Sequence, residues 1–546
     1  MKAEMEHEEL QLVLDTIRQY AKRKLDDQTL LKLDQENRCP TELIRELLGP
    51  DVGLHLAFIP TAYGGLGGGA RAIFQICEEL AGVDIGLATS LLGVSLGTDP
   101  LRVGGTEAQR KRWMSQVAEK GLLVAYAVTE PSAGSDLAAI RTRAEAIEEN
   151  GRIVAYRING TKQFITNGGI ADLFTILAMT PGGPSFFVVE KGTPGLEPGP
   201  SEHKHGIRSS NTTSLSLDDV VVPADQLIGG EEGQGLAQAQ QVFGYTRVMV
   251  AAFGLAGGTA AIRRAIQYGA ERVQDGSTLN KKAAWTHKLI VPHVVALEAS
   301  RAFIEELSDR LDRGEPELQT DGAVAKLVAT EAGNAAAESA IQAHGGYGYT
   351  HEYFVEKIKR DVRITCIYEG TSEILQRTIT RDRWRQHLIS RGAHYLDLAR
   401  TMDELSQTDP DCGADQAAAA CTALAHILET CRIKRLTRNQ HVLFSLGELI
   451  AQTEVACAFA RKAARNDPDT SRLPTSSLRV MSRLWARQVA GQVSQKGLSL
   501  IAGADVLDER ELELFSKKIG LDRIRHGLRG MLADMAEAAA TLTSNN

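Results

Sequence analysis

The sequence is poor in aromatic residues, which make up 5% of its 546 positions, and it has no excess of positive charge. Its 61 basic side chains are outnumbered by 69 acidic ones, which gives a formal net charge of −8. Residues 385–546 hold 21 basic and 19 acidic side chains, and residues 1–384 hold 40 and 50. Because proteins that mainly bind nucleic acid are basic, we expect no nucleic-acid partner.

Cysteine is scarce and scattered as well. The seven cysteines form neither a CxxC pair nor a His/Cys cluster, a pattern that predicts reduced core thiols and no metal site. No stretch approaches 20 consecutive apolar residues, so no membrane-spanning helix is expected. Four glutamates lie among the first nine residues, where neither a secretory signal nor a transit peptide is recognisable. We therefore expect a cytoplasmic protein.

The pattern of apolar residues changes twice along the chain. Residues 1–120 show helical spacing, for example at Leu10, Leu14 and Ile17. Residues 121–232 contain short apolar runs separated by Gly, Pro and Asn, which predict an antiparallel β-domain. Helical spacing returns from residue 233, and the polar segment 401–415 predicts a linker. The predicted domains are 1–120 (helical), 121–232 (β), 233–385 (helical bundle) and 386–546 (helical extension).

Several segments of the β-region and its neighbours are predicted in more detail. Six runs predict strands: 122–130, 152–158, 164–168, 173–179, 185–190 and 214–223. The proline- and glycine-rich stretches 181–184 and 192–200 predict turns. The stretch TAYGGLGGGA (61–70) has the GxGxxA spacing of a dinucleotide loop, but a βαβ setting is poorly supported, so we interpret it as a glycine turn.

Four short motifs carry groups suited to chemistry. In IYEGTSEI (367–374), Glu369 lies beside apolar and aromatic residues, which would raise the pKa of its carboxyl group towards the range of a general base, although most such glutamates are solvated surface groups. YAVTEPSAGSD (126–136) offers backbone N–H groups and hydroxyls to a polar ring or a phosphate. FITNGG (164–169) and QAHGGYGY (342–349) offer similar groups, but each segment fits an ordinary turn equally well.

The order of these segments resolves the ambiguity. YAVTEPSAGSD, GTKQFITNGG, IRSSNTTSLSLDDVVVP, QAHGGYGY and RDVRITCIYEGTSEI follow one another as in the acyl-CoA dehydrogenase family, which the chain resembles over roughly residues 5–385. The resemblance implies a mainly α fold, with an N-terminal helical domain, a central antiparallel β-domain and a C-terminal helical bundle. It also implies FAD, bound at the junction of these domains and between subunits.

The resemblance also implies residue roles. Glu369 would remove a proton from the α-carbon of an acyl-CoA thioester while the β-hydrogen leaves as hydride to flavin N5, giving a trans-2-enoyl-CoA. The Glu369 N–H would bind the thioester carbonyl, and an electron-transfer flavoprotein would accept the electrons. The implied flavin contacts are Tyr126, Val128, Thr129, Ser135, Phe164, Thr166, Arg272, Gln342, Gly345, Gly346, Thr371 and Glu373. The implied substrate contacts are Ser135, Phe243, Thr246, Arg247, Tyr368 and Gly370.

Three departures from the family pattern stand out. Phe164 takes a place where many relatives have Trp. In RVQDGS (272–277), Asp275 and Ser277 replace the Phe and Lys of the common pattern R-x-x-F-G-K. The contacts that these two residues make in relatives with FAD across the subunit interface are therefore not expected here. Gly244 replaces an Asp of several relatives, which removes one expected CoA contact.

The last 160 or so residues resemble the C-terminal extension of very-long-chain acyl-CoA dehydrogenases. This resemblance implies a homodimer and peripheral membrane contact, for which the basic clusters at 432–438 and 523–529 are suited, although a salt-bridged surface explains them too. Gly93 and Gly97 would either widen an acyl pocket for a long or bulky chain or allow close helix packing. Two alternative functions share the architecture: an acyl-CoA oxidase, and a flavoprotein of the DNA-binding alkylation-response branch.

Overall fold

A computed structural model describes residues 4–465 and 472–544; the side chains of residues 243–245 and 544 lie outside the described residues. The chain divides into two compact units. Unit 1 comprises Met1–Ala256, Ser308–Gln319 and Arg360–Ile364, and unit 2 comprises Gly257–Leu307, Thr320–Lys359 and Thr365–Asn546. These units cut across the four predicted domains, and that finer division stays a prediction.

Unit 1 begins with six helices, as predicted. They are α1 (His7–Lys24), α2 (Asp27–Gln35), α3 (Thr41–Leu48), α4 (Ala70–Val83), α5 (Ile85–Gly104) and α6 (Glu107–Lys120). The predicted apolar face of α1 is buried at Leu10, Leu14 and Ile17. The glycine stretch before α4 is a turn, as predicted, and a Cβ on Gly65 would lie 1.9 Å from the Ile59 carbonyl oxygen. Only glycine tolerates that approach.

The β-part of unit 1 is a seven-stranded sheet. Its strands are β1 (Val124–Ala127), β2 (Arg143–Glu149), β3 (Arg152–Thr166), β4 (Leu173–Thr180), β5 (Gly183–Glu190), β6 (Leu196–Ser201) and β7 (Thr212–Pro223). The strand order is β1-β4-β2-β3-β7-β6, and β5 pairs with β4. The aromatic and branched residues of alternate positions, such as Tyr156, Ile158, Phe174, Ile176 and Phe187, form its core.

The sheet corrects the sequence prediction in three respects. Strand β1 pairs with β4 in parallel, so the sheet is mixed rather than antiparallel. Strand β6 occupies part of the stretch 192–200 that we predicted as turn, because pairing with β7 outweighs its prolines and glycine. Strand β2 was missed, since it is mostly glutamate and alanine, residues depleted in strands, and has Ile147 as its one branched residue.

Unit 2 is helical, and helix α7 (Gly235–Glu271) leads into it from unit 1. The chain continues with β8 (Val273–Gln274), β9 (Ser277–Thr278), α8 (Ala283–Trp285), α9 (Val291–Asp312), α10 (Gln319–His344), α11 (Phe354–Val362) and α12 (Ser372–Ile389). The last residues of α9 and α11 belong to unit 1. Small residues allow α7 and α10 to pack closely. A Cβ on Gly258 would lie 2.7 Å from the Gly333 Cα.

The C-terminal extension lies entirely in unit 2. Its helices are α13 (Ala393–Thr408), α14 (Ala414–Ile433), α15 (Gln440–Ala464), α16 (Thr475–Gly503), α17 (Glu509–Lys518), α18 (Leu521–Gly527) and α19 (Met531–Ser544). The linker predicted at 401–415 is mostly helix: α13 runs to Thr408, and only residues 409–413 form the connection. The polar residues misled the prediction because they lie on the exposed face of α13.

A buried ionic network joins α12 to the extension. The Arg383 guanidinium donates to the Glu454 carboxylate at 2.7 and 3.0 Å and to Asp321 of α10 at 3.2 Å. The Tyr395 hydroxyl of α13 donates to Glu454 at 2.8 Å. Burial raises the pKa of Glu454, but the Arg383 charge and these hydrogen bonds outweigh it, so its pKa lies below the usual value.

Among the described residues, two helices, Gly235–Glu271 and Gln440–Ala464, are long and apolar enough to cross a membrane by length and composition alone. Within their most apolar windows, 88% and 72% of the residues are buried inside the chain. Core helices of globular proteins pass the same test, so this is weak support for a membrane span. All seven cysteines are free thiols, six of them buried, as predicted.

Candidate active site

Glu369 lies in a short loop between two helical segments, as predicted. The loop follows the 3₁₀ turn Arg363–Cys366 and precedes α12. The Glu369 side chain is half-buried, and its backbone has φ +55°, in the left-handed region, followed by Gly370 at φ +96°. Such conformations are uncommon for residues other than glycine and cluster at functional sites. Glu369 therefore combines a strained backbone with a carboxylate that is only half-buried.

The neighbours of Glu369 start the next helix. Thr371 is the N-cap of α12, and its hydroxyl accepts a hydrogen bond from the Ile374 N–H at 3.3 Å. Glu373 is exposed in the first turn, where a carboxylate is favourable to the helix dipole. Tyr368 is half-buried on the other side of Glu369. All of these predicted site residues lie in one segment of unit 2.

In unit 1, the segment YAVTEPSAGSD forms β1 and the loop after it. Tyr126 lies on β1 with its ring centroid 5.6 Å from that of Phe186. Val128 is buried, Thr129 is half-buried, and Ser135 is exposed at the loop. The structure thus places the predicted hydroxyls along one connected stretch of chain.

A buried ion pair that the sequence reasoning missed holds this loop. The Lys162 ammonium of β3 lies 2.8 Å from the Glu130 carboxylate and 3.1 Å from the Val128 carbonyl oxygen. Glu130 also accepts hydrogen bonds from the backbone N–H groups of Arg141 and Thr142. Burial lowers the pKa of Lys162 to about 8. Burial alone would raise the pKa of Glu130, but its hydrogen bonds from Lys162, Thr142 and Arg141 outweigh burial and lower that pKa. No local pattern signals a pair 32 residues apart.

Phe164 lies at an irregularity of the sheet. The register of β3 and β7 shifts between Lys162 and Ile165, and Phe164 there has φ +57°. Phe164 is 64% exposed, so this large apolar residue is not covered by the rest of the chain. Thr166 follows as the last residue of β3 and is half-buried. An exposed aromatic ring suits contact with a flat heteroaromatic ligand.

In unit 2, Arg272, Gln342, Gly345 and Gly346 are exposed. The Tyr268 ring stacks on His344, which lies between Gln342 and Gly345 in the chain, with centroids 4.6 Å apart. Tyr268 also lies about one helical turn before Arg272. A Cβ on Gly345 or Gly346 would meet nothing within 4 Å, so their backbone faces open space. Accessible glycine backbone and a guanidinium suit a phosphate group.

The departures in RVQDGS form a β-hairpin. Strands β8 and β9 pair through the two-residue turn Asp275–Gly276, and both turn residues have positive φ, at +49° and +76°. An Asp-Gly dipeptide between two short strands is the strongest local sequence signal for a hairpin, and it predicts this turn. Asp275 is therefore explained by turn geometry.

Helix α7 carries the remaining predicted substrate residues. Thr246 is fully buried, and Arg247 is half-buried, with its guanidinium donating to the Gln319 carbonyl at 3.3 Å. The Phe243 side chain lies outside the described residues. Among residues 4–465 and 472–544, no three His, Cys, Asp or Glu side chains are grouped so as to hold a metal ion.

The surroundings of Gly93 and Gly97 on α5 distinguish between a widened acyl pocket and close helix packing. A Cβ on Gly97 would lie 2.5 Å from the Val124 side chain of β1, and one on Gly93 would lie 2.6 Å from the Asn167 amide. Asn167, with φ +62°, donates in turn to the Ser90 carbonyl of α5 at 2.8 Å. These glycines therefore allow close packing of α5 against the sheet, and they give no support to a widened pocket.

The residues present fit FAD. Taken by itself, unit 1 presents an exposed phenylalanine and a hydroxyl-bearing loop. Taken by itself, unit 2 presents open glycine backbone and an exposed arginine. These are the groups that bind a flat ring system and a diphosphate. Asp275 and Ser277 remain the places where the expected set differs.

Comparisons with known proteins agree with this chemistry. Three family profiles match: "Acyl-CoA dehydrogenase, N-terminal domain" over residues 7–121, "middle domain" over 125–220 and "C-terminal domain" over 233–383. The short-chain-specific acyl-CoA dehydrogenase of Megasphaera elsdenii is 37% identical over 355 residues, which cover 63% of this chain and 90% of that protein. The cyclohex-1-ene-1-carbonyl-CoA dehydrogenase of Geobacter metallireducens is 36% identical, with 67% and 96% covered.

One solved structure extends the likeness of fold to the whole chain. The acyl-CoA dehydrogenase of Bacillus anthracis, solved in complex with FAD, superposes with a TM-score of 0.85 at 22% identity and covers 100% of this chain and 96% of that one. The C-terminal extension thus belongs to a fold seen elsewhere. The chain belongs to the acyl-CoA dehydrogenase family, and it is an FAD-dependent enzyme that dehydrogenates acyl-CoA thioesters.

Proposed function

We propose that Glu369 is the catalytic base of the dehydrogenation. The observation that carries this assignment is its left-handed backbone, at φ +55°, in a half-buried loop immediately before α12. Holding a residue other than glycine in such a conformation costs about 1–3 kcal/mol, and the surrounding structure must impose it. Because the surrounding structure imposes this conformation despite its cost, the Glu369 side chain is held in one direction, which suits a catalytic base.

In the proposed reaction, the Glu369 carboxylate takes the proton from the α-carbon of the thioester. The β-hydrogen departs with its electron pair, so a double bond forms between the α- and β-carbons. When bound, FAD supplies the two-electron acceptor for this hydride. The Glu369 N–H donates to the thioester carbonyl oxygen and stabilises the negative charge that develops there as the proton leaves. Glu369 then returns its proton to solvent.

The finer substrate class is a further part of the proposal. We propose a long or bulky acyl group, on the ground that the extension resembles that of very-long-chain acyl-CoA dehydrogenases. Anaerobic bleaching of the flavin by acyl-CoA thioesters from butyryl to palmitoyl, together with branched, cyclic and aryl-substituted ones, tests this directly. Fastest bleaching by butyryl-CoA would contradict it.

The partners complete the proposal. We propose electron-transfer flavoprotein as acceptor, a cytoplasmic homodimer, and peripheral membrane contact through the extension. The basic clusters that would make the membrane contact have part of their charge neutralised by ion pairs. Arg432 pairs with Glu429, Lys434 with Glu511 and Arg523 with Asp403. Reduction of added electron-transfer flavoprotein without peroxide formation would support the acceptor. Light scattering tests the dimer, and sedimentation with anionic vesicles tests the membrane contact.

Substitution of the base provides the decisive test. Glu369→Gln should retain FAD and bind acyl-CoA but lose flavin reduction by about 10²–10⁴-fold, the usual contribution of a positioned base. Glu352→Gln, which removes an exposed carboxylate elsewhere in unit 2, serves as the matched control. Normal reduction in Glu369→Gln would show that the base lies elsewhere.

A further inference from the structure

The residue after the base is held by a buried lysine. The Lys326 ammonium, on helix α10, donates to the Gly370 carbonyl oxygen at 2.7 Å, and the Lys326 side chain has no exposed surface. Gly370 is the second of the two consecutive left-handed residues of the loop. The contact therefore fixes the orientation of the peptide group that leaves this strained turn.

Helix α10 also contacts the loop at two further points. The Ser372 hydroxyl, on the α12 side, donates to the Glu331 carboxylate at 2.5 Å. On the other side of the base, the Asn334 amide lies 3.2 Å from the Cys366 sulfur. Lys326 and Asn334 are eight residues apart and so lie on one helix face. One helix thus anchors the chain both before and after Glu369.

Folding stability alone explains Lys326 poorly. Moving an ammonium group out of water is expensive, and its interactions in the interior often only balance that cost. An apolar side chain of similar length would fill the same space without that cost. What the lysine adds is a charged donor, which makes a stronger hydrogen bond to a carbonyl than a neutral donor does.

We propose that Lys326 is a positioning residue for the dehydrogenation: through the Gly370 carbonyl it fixes the left-handed turn that aims the Glu369 carboxylate and N–H. This inference rests on the proposed role of Glu369. It goes beyond that role in naming the group that holds the base in its strained conformation. Glu331 and Asn334 restrain the same loop from α10, and their contacts are weaker or more exposed.

The test is a donor series at position 326, read as the rate of flavin reduction per bound FAD. Lys326→Met has no donor, Lys326→Gln has a neutral donor, and Lys326→Arg keeps a charged donor. Misplacement of a reacting group by about 1 Å costs about 100-fold in rate, so we expect Met to lose about that much, with Gln and Arg progressively closer to the native rate. Acyl-CoA affinity should stay within about threefold, since the change affects kcat rather than binding.

The result that would overturn the proposal is an equal rate per bound FAD in all variants that fold. A purely structural lysine would lower FAD content and thermal stability without ordering the rates by donor. If Lys326→Met does not fold, the ratio of the Gln and Arg rates decides, and a ratio of one contradicts the proposal.

Two further variants separate the possible failures. Ser339→Ala removes another buried hydrogen bond of α10, to the Leu289 carbonyl, and should leave the rate per bound FAD unchanged. If Ser339→Ala loses as much of the rate per bound FAD as Lys326→Met does, the effect comes from disturbing helix α10 in general, and the proposal is overturned. Glu369→Gln is measured in parallel. Normal turnover in Glu369→Gln would overturn both the base assignment and this inference. If Glu369→Gln is inactive but the three variants at position 326 have equal rates, only this inference is overturned.

Discussion

The loop after β1 and the junction of α12 with the C-terminal extension both bury ion pairs, but the pairs are connected differently. In the loop, Lys162 and Glu130 bind each other and also bind backbone groups, at the Val128 carbonyl and at two N–H groups. Between α12 and the extension, Arg383 and Glu454 bind each other and side chains of other helices, namely Asp321 and Tyr395. Irregular backbone needs such partners because it lacks the internal hydrogen bonds of a helix.

The difference suggests a way to separate roles. Charges that bind backbone hold a loop in one conformation, and here that loop carries predicted flavin contacts. Charges that bind other side chains hold helices together, and their removal should change stability more than chemistry. Lys326, which binds the Gly370 carbonyl, belongs with the first group. The predictions below test this division.

The largest expected effect concerns the loop. Lys162→Met leaves the Glu130 carboxylate buried without its ammonium partner, and breaking a buried pair in this way costs about 3–5 kcal/mol. We expect both the free energy of unfolding and the FAD content of the purified protein to fall. Denaturant titration and the flavin absorbance per protein measure them. Full FAD content in a folded Lys162→Met protein would show that the pair does not hold the flavin loop.

The matching change in the extension is Glu454→Gln. It leaves Arg383 without its main carboxylate partner, so a loss of about 3 kcal/mol is expected from the same reasoning. The rate of flavin reduction per bound FAD should stay within about twofold. Stopped-flow reduction beside thermal denaturation checks both quantities. A tenfold fall in the rate of flavin reduction, with FAD still bound, would show that this ion pair affects chemistry as well as stability. The distinction between the two regions would then be wrong.

Acid should reduce this contribution of Glu454. Its folded-state pKa lies below the ordinary value of 4.5, so the stabilisation is fully present above pH 4.5 and is lost as the pH falls through the folded pKa. The difference in unfolding free energy between the native protein and Glu454→Gln should therefore shrink below pH 4.5. Urea titrations at pH 6 and at successive lower values measure it. A difference that is constant down to pH 3 would contradict the ionic account.

The smallest effect is expected at Gly97. Gly97→Ala places a methyl group 2.5 Å from Val124, and such overpacking costs about 1–3 kcal/mol. Because we assign this glycine to packing, the preference among acyl-CoA chain lengths should not change. Thermal denaturation and the bleaching panel test the two statements. A shift of preference towards shorter acyl groups would restore the pocket interpretation.

Much of the candidate site could be predicted from the sequence. The order of five motifs indicated the family and identified Glu369, and the glycine turn at 61–70 and the helical face of α1 followed from local spacing. The mistakes also have local causes. Polar residues on α13 imitated a linker, and the prolines of β6 imitated a turn.

The sequence by itself determined the succession of helical and β-segments and the residues available for chemistry, because periodicity and motifs depend on near neighbours. Only the tertiary structure decided that β1 pairs in parallel with β4, that Gly97 serves packing, and that Glu369 is left-handed. It alone brought Lys162 to Glu130 and Lys326 to Gly370, across 32 and 44 residues of chain. A buried charge finds its partner through the packing of whole elements, and no short pattern encodes that encounter.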